Sequence, residues 1–158
     1  MIIEYHRTHF NSHPPTRGNP SDAGLDVYFS PKERQPVTIN PGESIILPTG
    51  LKFGVPHGYM LEVKNRSSVA SKRSLIVGAC VVDSGYDGEV FVNLHNIGNE
   101  PQVVEPHTKI AQVVMTPVVS FRIGGLIDII SHKKTGFLAD PYAPESLAYR
   151  INWVIEDE

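Results

Sequence analysis

The sequence predicts an all-β protein, built as a jelly roll or barrel, with an amphipathic helix near its C-terminus. Turn signals rich in proline, glycine and asparagine recur about every 8–12 residues through the first 120 positions. Apolar residues in this region show almost none of the roughly 3.6-residue period that marks a helix. Because both patterns stop near residue 122, we assign residues 1–122 to a β domain and residues 123–158 to an atypical C-terminal tail.

Segments rich in apolar or β-branched residues lie between the turn signals and are predicted to be strands. They are, in order, 2–5, 25–29, 36–39, 44–47, 50–55, 59–63, 75–82, 89–94, 102–104 and 109–115. Turns such as Asn40-Pro41-Gly42 and Asp87-Gly88 supply the fixed or positive φ that a reversal of the chain needs. The segment 75–82 is apolar almost throughout. That pattern is typical of a strand buried on both faces or packed at a subunit interface.

A helix is predicted over about residues 144–156. Pro144 suits the first helical turn, and Glu145 places an acid near the positive end of the helix dipole. Apolar residues then recur at i, i+4, i+7 and i+8 and form one stripe, made of Leu147, Ile151, Val154 and Ile155.

Composition limits the classes of protein to which this chain can belong. The 158 residues are 41% apolar and 20% charged, as in a globular domain with its own core. A net charge of −3 argues against binding bulk nucleic acid, and no apolar run approaches the roughly 18 residues of a membrane span. The first residues lack a signal peptide and Cys80 is the single cysteine, so we expect a cytoplasmic protein without an intrachain disulfide. The histidines show no metal-ligand spacing.

Two neighbouring stretches carry most of the functional signal. Residues 64–73 contain four cationic side chains and three hydroxyls, which favours a site for a small polyanion. Residues 83–88 follow, with a carboxylate and an aromatic ring in a glycine-rich turn. They could supply a base and a ring for a nucleobase or sugar. The sequence leaves open a plainer interpretation, a solvated basic turn followed by an ordinary hairpin turn.

Four motifs in order resemble those of the trimeric dUTP pyrophosphatases, the dUTPases. They are Pro20-Ser21-Asp22-Ala23-Gly24-Leu25-Asp26-Val27-Tyr28, Arg66-Ser67-Ser68-Val69-Ala70, Val82-Asp83-Ser84-Gly85-Tyr86-Asp87-Gly88-Glu89 and Lys109-Ile110-Ala111-Gln112-Val113-Val114. The resemblance implies a jelly-roll (β-clip) homotrimer with active sites between its subunits. It also implies hydrolysis of dUTP to dUMP and pyrophosphate with Mg²⁺, and no nucleic-acid or membrane partner.

The third motif would supply the chemistry and the nucleoside pocket. By resemblance, Asp83 orients and deprotonates the water that attacks the α-phosphate, and a carboxylate is ionised at neutral pH. Tyr86 would stack under the deoxyribose and exclude a 2′-hydroxyl by its bulk. Val82 and Phe91 are assigned to the same substrate pocket.

The other motifs would hold the phosphates. Arg66 would bind them as a bidentate fork, with Ser67 and Ser68 adding hydroxyl and backbone donors. Gln112 would contact phosphate from a neighbouring subunit. Asp26 would organise the water shell of Mg²⁺ and so hold the metal indirectly, because Mg²⁺ is usually carried by phosphates plus few protein groups.

The sequence departs from the family most clearly in its tail. The fifth motif, a glycine-rich arm that closes over the nucleotide, is missing, and residues 124–148 instead resemble a fragment of a GT-B glycosyltransferase. We assign no glycosyltransferase activity, because the sugar-nucleotide-binding glutamates and the acceptor domain of that family are absent. A less favoured alternative is that Lys133, Lys134 and Phe137 replace the missing arm as a lid. Smaller departures are Asp87 and the segment 78–80.

Two other functions fit parts of the pattern. The dCTP deaminases share the fold and similar second and third motifs, but Asn93 stands where their catalytic glutamate is expected, and an amide cannot act as a general base. The other is a non-catalytic nucleotide-binding or regulatory trimer, which the missing arm makes plausible.

Overall fold

The computed structural model describes residues 2–119, and these residues form antiparallel strands and one short helix. In chain order the elements are β1 (Glu4–Arg7), β2 (Gly24–Tyr28), β3 (Val37–Ile39), β4 (Ser44–Pro48), β5 (Leu51–Gly54), β6 (Tyr59–Lys64), α1 (Ser67–Arg73), β7 (Leu75–Val77), β8 (Val81–Val82), β9 (Phe91–Asn96), β10 (Gln102–Val104) and β11 (Lys109–Pro117). The regular secondary structure of the described residues is therefore almost all β-strand, as predicted.

The strands pair into four small sheets. The largest has the order β2-β11-β6-β8, the next β4-β9-β7, and two-stranded sheets join β1 to β5 and β3 to β10. Strand β11 lies between β2 and β6, so that Gln112 is opposite both Asp26 and Lys64. This register brings the first and fourth sequence motifs side by side.

The core lies between the inner faces of these sheets. Strand β9 shows the alternation clearly: Val92 and Leu94 are fully buried, whereas Phe91 is half exposed. Successive side chains of a strand point to opposite faces, so one face of each strand can fill the core. The largest fully buried side chains include Phe29, Ile39, Leu47, Leu51, Leu61, Leu75, Leu94 and Ile110.

The prediction of one continuous strand at 75–82 was wrong. Strand β7 pairs with β9, whereas β8 pairs with β6 in a different sheet, and residues 78–80 between them are exposed. Gly78, the first residue after β7, lies close against β9, where a Cβ would overlap Asn93 Oδ1 and His95 Nε2. The segment is thus not buried on both faces within the chain; packing at a subunit interface stays a prediction.

The short helix α1 was not predicted. It begins after Arg66, which has extended backbone angles, and ends at Ser74, which adopts the left-handed conformation with φ of 53°. Lys72 and Arg73 occupy its last turn, where cations interact favourably with the helix dipole. Only Val69 is buried. A helix with one buried residue leaves no periodic stripe to detect in the sequence.

Several predictions fall outside the described residues. These are the tail, its helix at 144–156 and the candidate lid residues Lys133, Lys134 and Phe137. Within residues 2–119, no helix is both long enough and apolar enough to span a membrane.

Candidate active site

An ion cluster centred on Asp26 lies where three elements meet. The Oδ1 atom of Asp26 accepts a hydrogen bond from Arg66 Nε at 2.6 Å, and its Oδ2 atom lies 2.9 Å from Lys109 Nζ. The aspartate side chain is only 13% exposed, whereas the two cations are 24% and 37% exposed. The hydrogen bond to Asp26 raises the pKa of Lys109 above its usual value. One carboxylate therefore holds two cations beside each other, and the cluster keeps a net positive charge.

Backbone structure fixes each member of this cluster. Asp26 is on β2, Arg66 is the last extended residue before α1, and Lys109 opens β11 beside Tyr28. A register shift follows between Lys109 and Ala111. Such an irregularity re-aims a side chain relative to the strand, and here it accompanies the approach of Lys109 to the carboxylate.

Gln112 adjoins the ion cluster. Its Nε2 atom donates to the carbonyl of Asn65 at 3.0 Å, and the Asn65 side chain accepts the backbone N–H of Val77 at 2.6 Å. Gly24 leaves room for the amide, because a Cβ there would overlap Gln112 Oε1. The Gln112 amide thus lies against the backbone just before the second motif.

Ser67 and Ser68 begin α1 and are both exposed. The Oγ atom of Ser68 lies 3.5 Å from Arg66 Nη1, at the outer limit of a hydrogen bond. The two hydroxyls and the guanidinium therefore remain available to a ligand. Together with Lys109, they form a cationic, hydroxyl-rich surface suited to an anion.

A second group surrounds the glycine-rich turn. A surface pocket of about 290 Å³ is lined by Val81, Val82, Asp83, Tyr86, Glu89, Val90 and Phe91. The backbone N–H of Tyr86 donates to the carbonyl of Asp83 at 3.1 Å, which closes the turn. Asp83 is exposed, and the Tyr86 and Phe91 side chains are 46% and 47% exposed. A free carboxylate and two rings thus border one cavity.

The predicted site residues therefore form two groups within one chain. Asp26, Arg66, Ser67, Ser68 and Gln112 lie around the ion cluster, and Val82, Asp83, Tyr86 and Phe91 line the pocket. Among the described residues no side-chain hydrogen bond or ion pair joins the two groups, although β2, β11, β6 and β8 belong to one sheet. A ligand that needs both a phosphate grip and the Asp83 turn would therefore have to bring together two groups that are not linked by side-chain contacts.

Lys109 and Glu89 have no predicted role, although both lie inside the sequence motifs. The role of Lys109 depends on the β2–β11 register, and that of Glu89 depends on contacts with residues 8 and 50. Neither contact is visible in the local sequence. The one usable signal was an isolated charge beside an apolar strand, where a partner is expected.

The described residues include no group of three or more histidine, cysteine or acidic side chains that could hold a metal ion alone. Both oxygens of Asp26 already face cations. This donor set suits a hard cation such as Mg²⁺ only if the ion arrives with a polyphosphate that supplies most of the ligands.

Comparisons with known proteins agree on one family. The profile of the dUTPase family matches residues 11–137. The deoxyuridine 5'-triphosphate nucleotidohydrolase of Chlamydia pneumoniae is 39% identical over 107 residues, covering 66% of this chain and 72% of the relative. That of Gloeobacter violaceus is 41% identical over 106 residues, covering 66% and 71%.

Solved structures share the fold. A dUTPase from phage phi11 of S. aureus superposes with a TM-score of 0.73, covering 79% of this chain and 96% of the other, at 20% identity. At that identity the likeness shows the fold alone, and it confirms the predicted all-β jelly roll. Because the family profile covers well over half of the sequence, this chain belongs to the dUTPase family.

Proposed function

We propose that this protein hydrolyses dUTP to dUMP and pyrophosphate in nucleotide metabolism. The observation that carries the proposal is the Asp83 turn, in which an exposed carboxylate and the Tyr86 ring border one pocket. Hydrolysis of a nucleoside triphosphate needs an oriented water and neutralised phosphate charge, and little covalent chemistry from the protein. The relatives from Chlamydia pneumoniae and Gloeobacter violaceus are named as hydrolases of deoxyuridine 5'-triphosphate, which supports this substrate.

Asp83 acts as the general base. Its exposed carboxylate accepts a proton from the water that attacks the α-phosphate, and the electron pair of the broken P–O bond leaves with pyrophosphate. General-base assistance contributes about 10²–10⁴-fold to the rate. Val82 and Phe91, on the same pocket wall, exclude water from one side of the substrate.

The ion cluster grips the phosphates. Asp26 holds the Arg66 guanidinium through Nε, which leaves the terminal nitrogens free for phosphate oxygens. Ser67 and Ser68 add hydroxyl donors, and Gln112 adds its amide. Mg²⁺, bound mainly to the phosphates, would neutralise part of their charge. Asp26 would hold this ion only indirectly, through the water shell.

Tyr86 selects the sugar. Its ring crosses the turn beside Asp83, where it would lie under a deoxyribose. A ring in a fixed position excludes a 2′-hydroxyl by occupying its space, so selection comes from a clash with the wrong substrate.

The assembly is a homotrimer with shared sites. The separation of the two groups within one chain supports this arrangement, because a second chain could supply the missing half of each site. Closed cyclic assemblies bring different surface patches of identical chains together. Light scattering at micromolar concentration tests the assembly, and a monomer that hydrolyses dUTP normally would refute shared sites.

Two alternatives are disfavoured by particular residues. A dCTP deaminase needs a carboxylate where Asn93 stands, and the Asn93 amide is bound to His95 Nε2 at 2.6 Å. A non-catalytic nucleotide-binding trimer would leave the exposed Asp83 without a function. Incubation with Mg²⁺ and either dUTP or dCTP separates the three. Pyrophosphate from dUTP supports our proposal, ammonia from dCTP supports a deaminase, and binding without turnover supports the third.

A further inference from the structure

The side chain of Glu89 bridges two distant parts of the chain. Its Oε1 atom accepts the backbone N–H of Gly50 at 2.9 Å, and its Oε2 atom accepts the hydroxyl of Thr8 at 3.2 Å. Glu89 is half-buried, and it borders the nucleoside pocket. A partly buried carboxylate with both oxygens bonded is held in one rotamer, because each bond would be lost on rotation.

The two groups that donate to Glu89 are themselves held in place. Gly50 has a φ of +69°, and a Cβ there would overlap Ser12 Oγ, so the corner is closely packed. The backbone N–H of Thr8 donates to the Gly50 carbonyl at 2.8 Å. On the other side, the Val90 N–H donates to the Leu51 carbonyl at 2.8 Å. The position of Glu89 is therefore fixed by the hydrogen bonds of its side chain and by the backbone hydrogen bond of the next residue, Val90.

The Tyr86 side chain is hydrogen-bonded to the backbone of Glu89. Its hydroxyl donates to the backbone carbonyl of Glu89 at 2.8 Å. The ring also lies against Gly88, where a Cβ would come within 2.5 Å of the ring. Gly85, Tyr86 and Asp87 are exposed, and among the described residues the Tyr86 side chain makes no other hydrogen bond.

We propose that Glu89 is a positioning residue of the nucleoside pocket, which holds the Tyr86 ring through the backbone carbonyl. This inference rests on the sugar-selecting role proposed for Tyr86. A ring that excludes a 2′-hydroxyl must stay within a fraction of an ångström of one position. Loss of the Glu89 bridge frees the carbonyl, loosens the ring, and admits a ribonucleotide that the intact pocket rejects.

The test compares binding of the α,β-imido analogues of dUTP and UTP, with Mg²⁺, by calorimetry on the full chain. We expect Glu89→Ala to reduce the preference for the deoxy analogue about tenfold, mainly through tighter ribo binding, as loosened exclusion requires. Glu89→Gln should stay within about twofold, because its amide oxygen can accept from Gly50 and its amide nitrogen can donate to Thr8. Asp87→Ala is the matched control, since it removes an exposed carboxylate from the same turn, and it should also stay within about twofold.

Several results would contradict the proposed role of Glu89, and they can be told apart. An unchanged preference in folded Glu89→Ala overturns the proposal, and so does an equal loss in Glu89→Gln, because charge alone would then explain both. If Glu89→Ala does not fold, Thr8→Val removes one bond of the bridge and should reduce the preference about threefold; no change there also overturns it. A wild-type chain that binds both analogues equally overturns it as well. Absence of dUTP hydrolysis by the wild type refutes the proposed function but leaves the binding comparison intact.

Discussion

Removing the carboxylate of Asp26 should destabilise the fold and weaken the phosphate grip together. In Asp26→Ala, Arg66 and Lys109 lose their shared partner and face each other as unpaired cations. In Asp26→Asn, the amide oxygen can still accept from Arg66 Nε, but the amide nitrogen cannot accept from an ammonium. The two substitutions therefore remove different shares of the same cluster.

The size of the effect follows from the burial of the three side chains. A hydrogen bond to a charged group contributes about 1.5–3 kcal/mol, and Asp26 makes two of them. The Arg66 and Lys109 side chains are 24% and 37% exposed, so water recovers part of what each cation loses. We expect a loss of about 2–3 kcal/mol in the free energy of unfolding for Asp26→Ala, and of about 1–2 kcal/mol for Asp26→Asn.

Urea unfolding followed by circular dichroism measures both values. With a slope of about 1–3 kcal/mol per molar urea, Asp26→Ala should lower the midpoint by about 1–2 M. The measurement is repeated at a second protein concentration, because the stability of an oligomer depends on concentration. A parallel assay of dUTP hydrolysis should show a raised KM, since Arg66 is no longer oriented.

The effect of salt on stability distinguishes a partly buried ion cluster from an ordinary surface ion pair. A carboxylate that is 13% exposed is screened only weakly, so the difference between wild type and Asp26→Ala should persist in about 1 M salt. If the difference is below about 0.5 kcal/mol, or disappears in salt, the cluster behaves as an ordinary surface pair. That result would refute the reasoning about its stability and its role in orienting Arg66.

The remaining predictions concern the base, the raised pKa, the tail and one close contact. Asp83→Asn should lower kcat by about 10²–10⁴-fold while dUTP binding stays within about tenfold, measured by pyrophosphate release and calorimetry. The pKa of Lys109 is raised, so its ion pair contributes fully to the free energy of unfolding below about pH 10.4, and this contribution is lost as pH rises through the folded-state pKa. The free energy of unfolding should therefore fall more steeply above about pH 10 in the wild type than in Lys109→Met, as measured by urea unfolding at several pH values. Lys133→Ala/Lys134→Ala should change kcat/KM by less than about threefold, whereas a substitute lid would show a loss of about 10²-fold or more. Gly78→Ala should lower the free energy of unfolding by about 1–3 kcal/mol, because its Cβ overlaps side chains of β9.

The sequence predicted those parts of the fold that depend on local chemistry. Strand β10 at Gln102–Val104 matches its predicted bounds, because turns with proline or glycine enclose it on both sides. Strand β1 is shifted to Glu4–Arg7, and all four of its residues are exposed. Its position follows from pairing with β5 across the molecule, so its own apolar residues could not locate it.

Long-range contacts account for what the sequence could not predict. The break within residues 75–82 follows from the pairing of β7 with β9 and of β8 with β6. Apolar residues surround Gly78 on both sides, so its neighbours in the sequence suggest a continuous strand. A prediction of the break would have required the β7–β9 register, which no local pattern supplies.

The candidate site residues were predicted on a different basis, and their roles stay predictions. Its motifs lie far apart in the chain, and the resemblance identified them one at a time, without their contacts. The structure adds the contacts. In each group they identify one residue that holds a predicted site residue in place and to which the motifs gave no role. Lys109 shares the carboxylate of Asp26 with Arg66, and the backbone carbonyl of Glu89 accepts the hydrogen bond of the Tyr86 hydroxyl. Each of these two residues holds in place another residue to which we assign a substrate contact. Their substitution should therefore change substrate affinity and sugar preference more than the rate of the chemical step, whereas substitution of Asp83 should do the reverse.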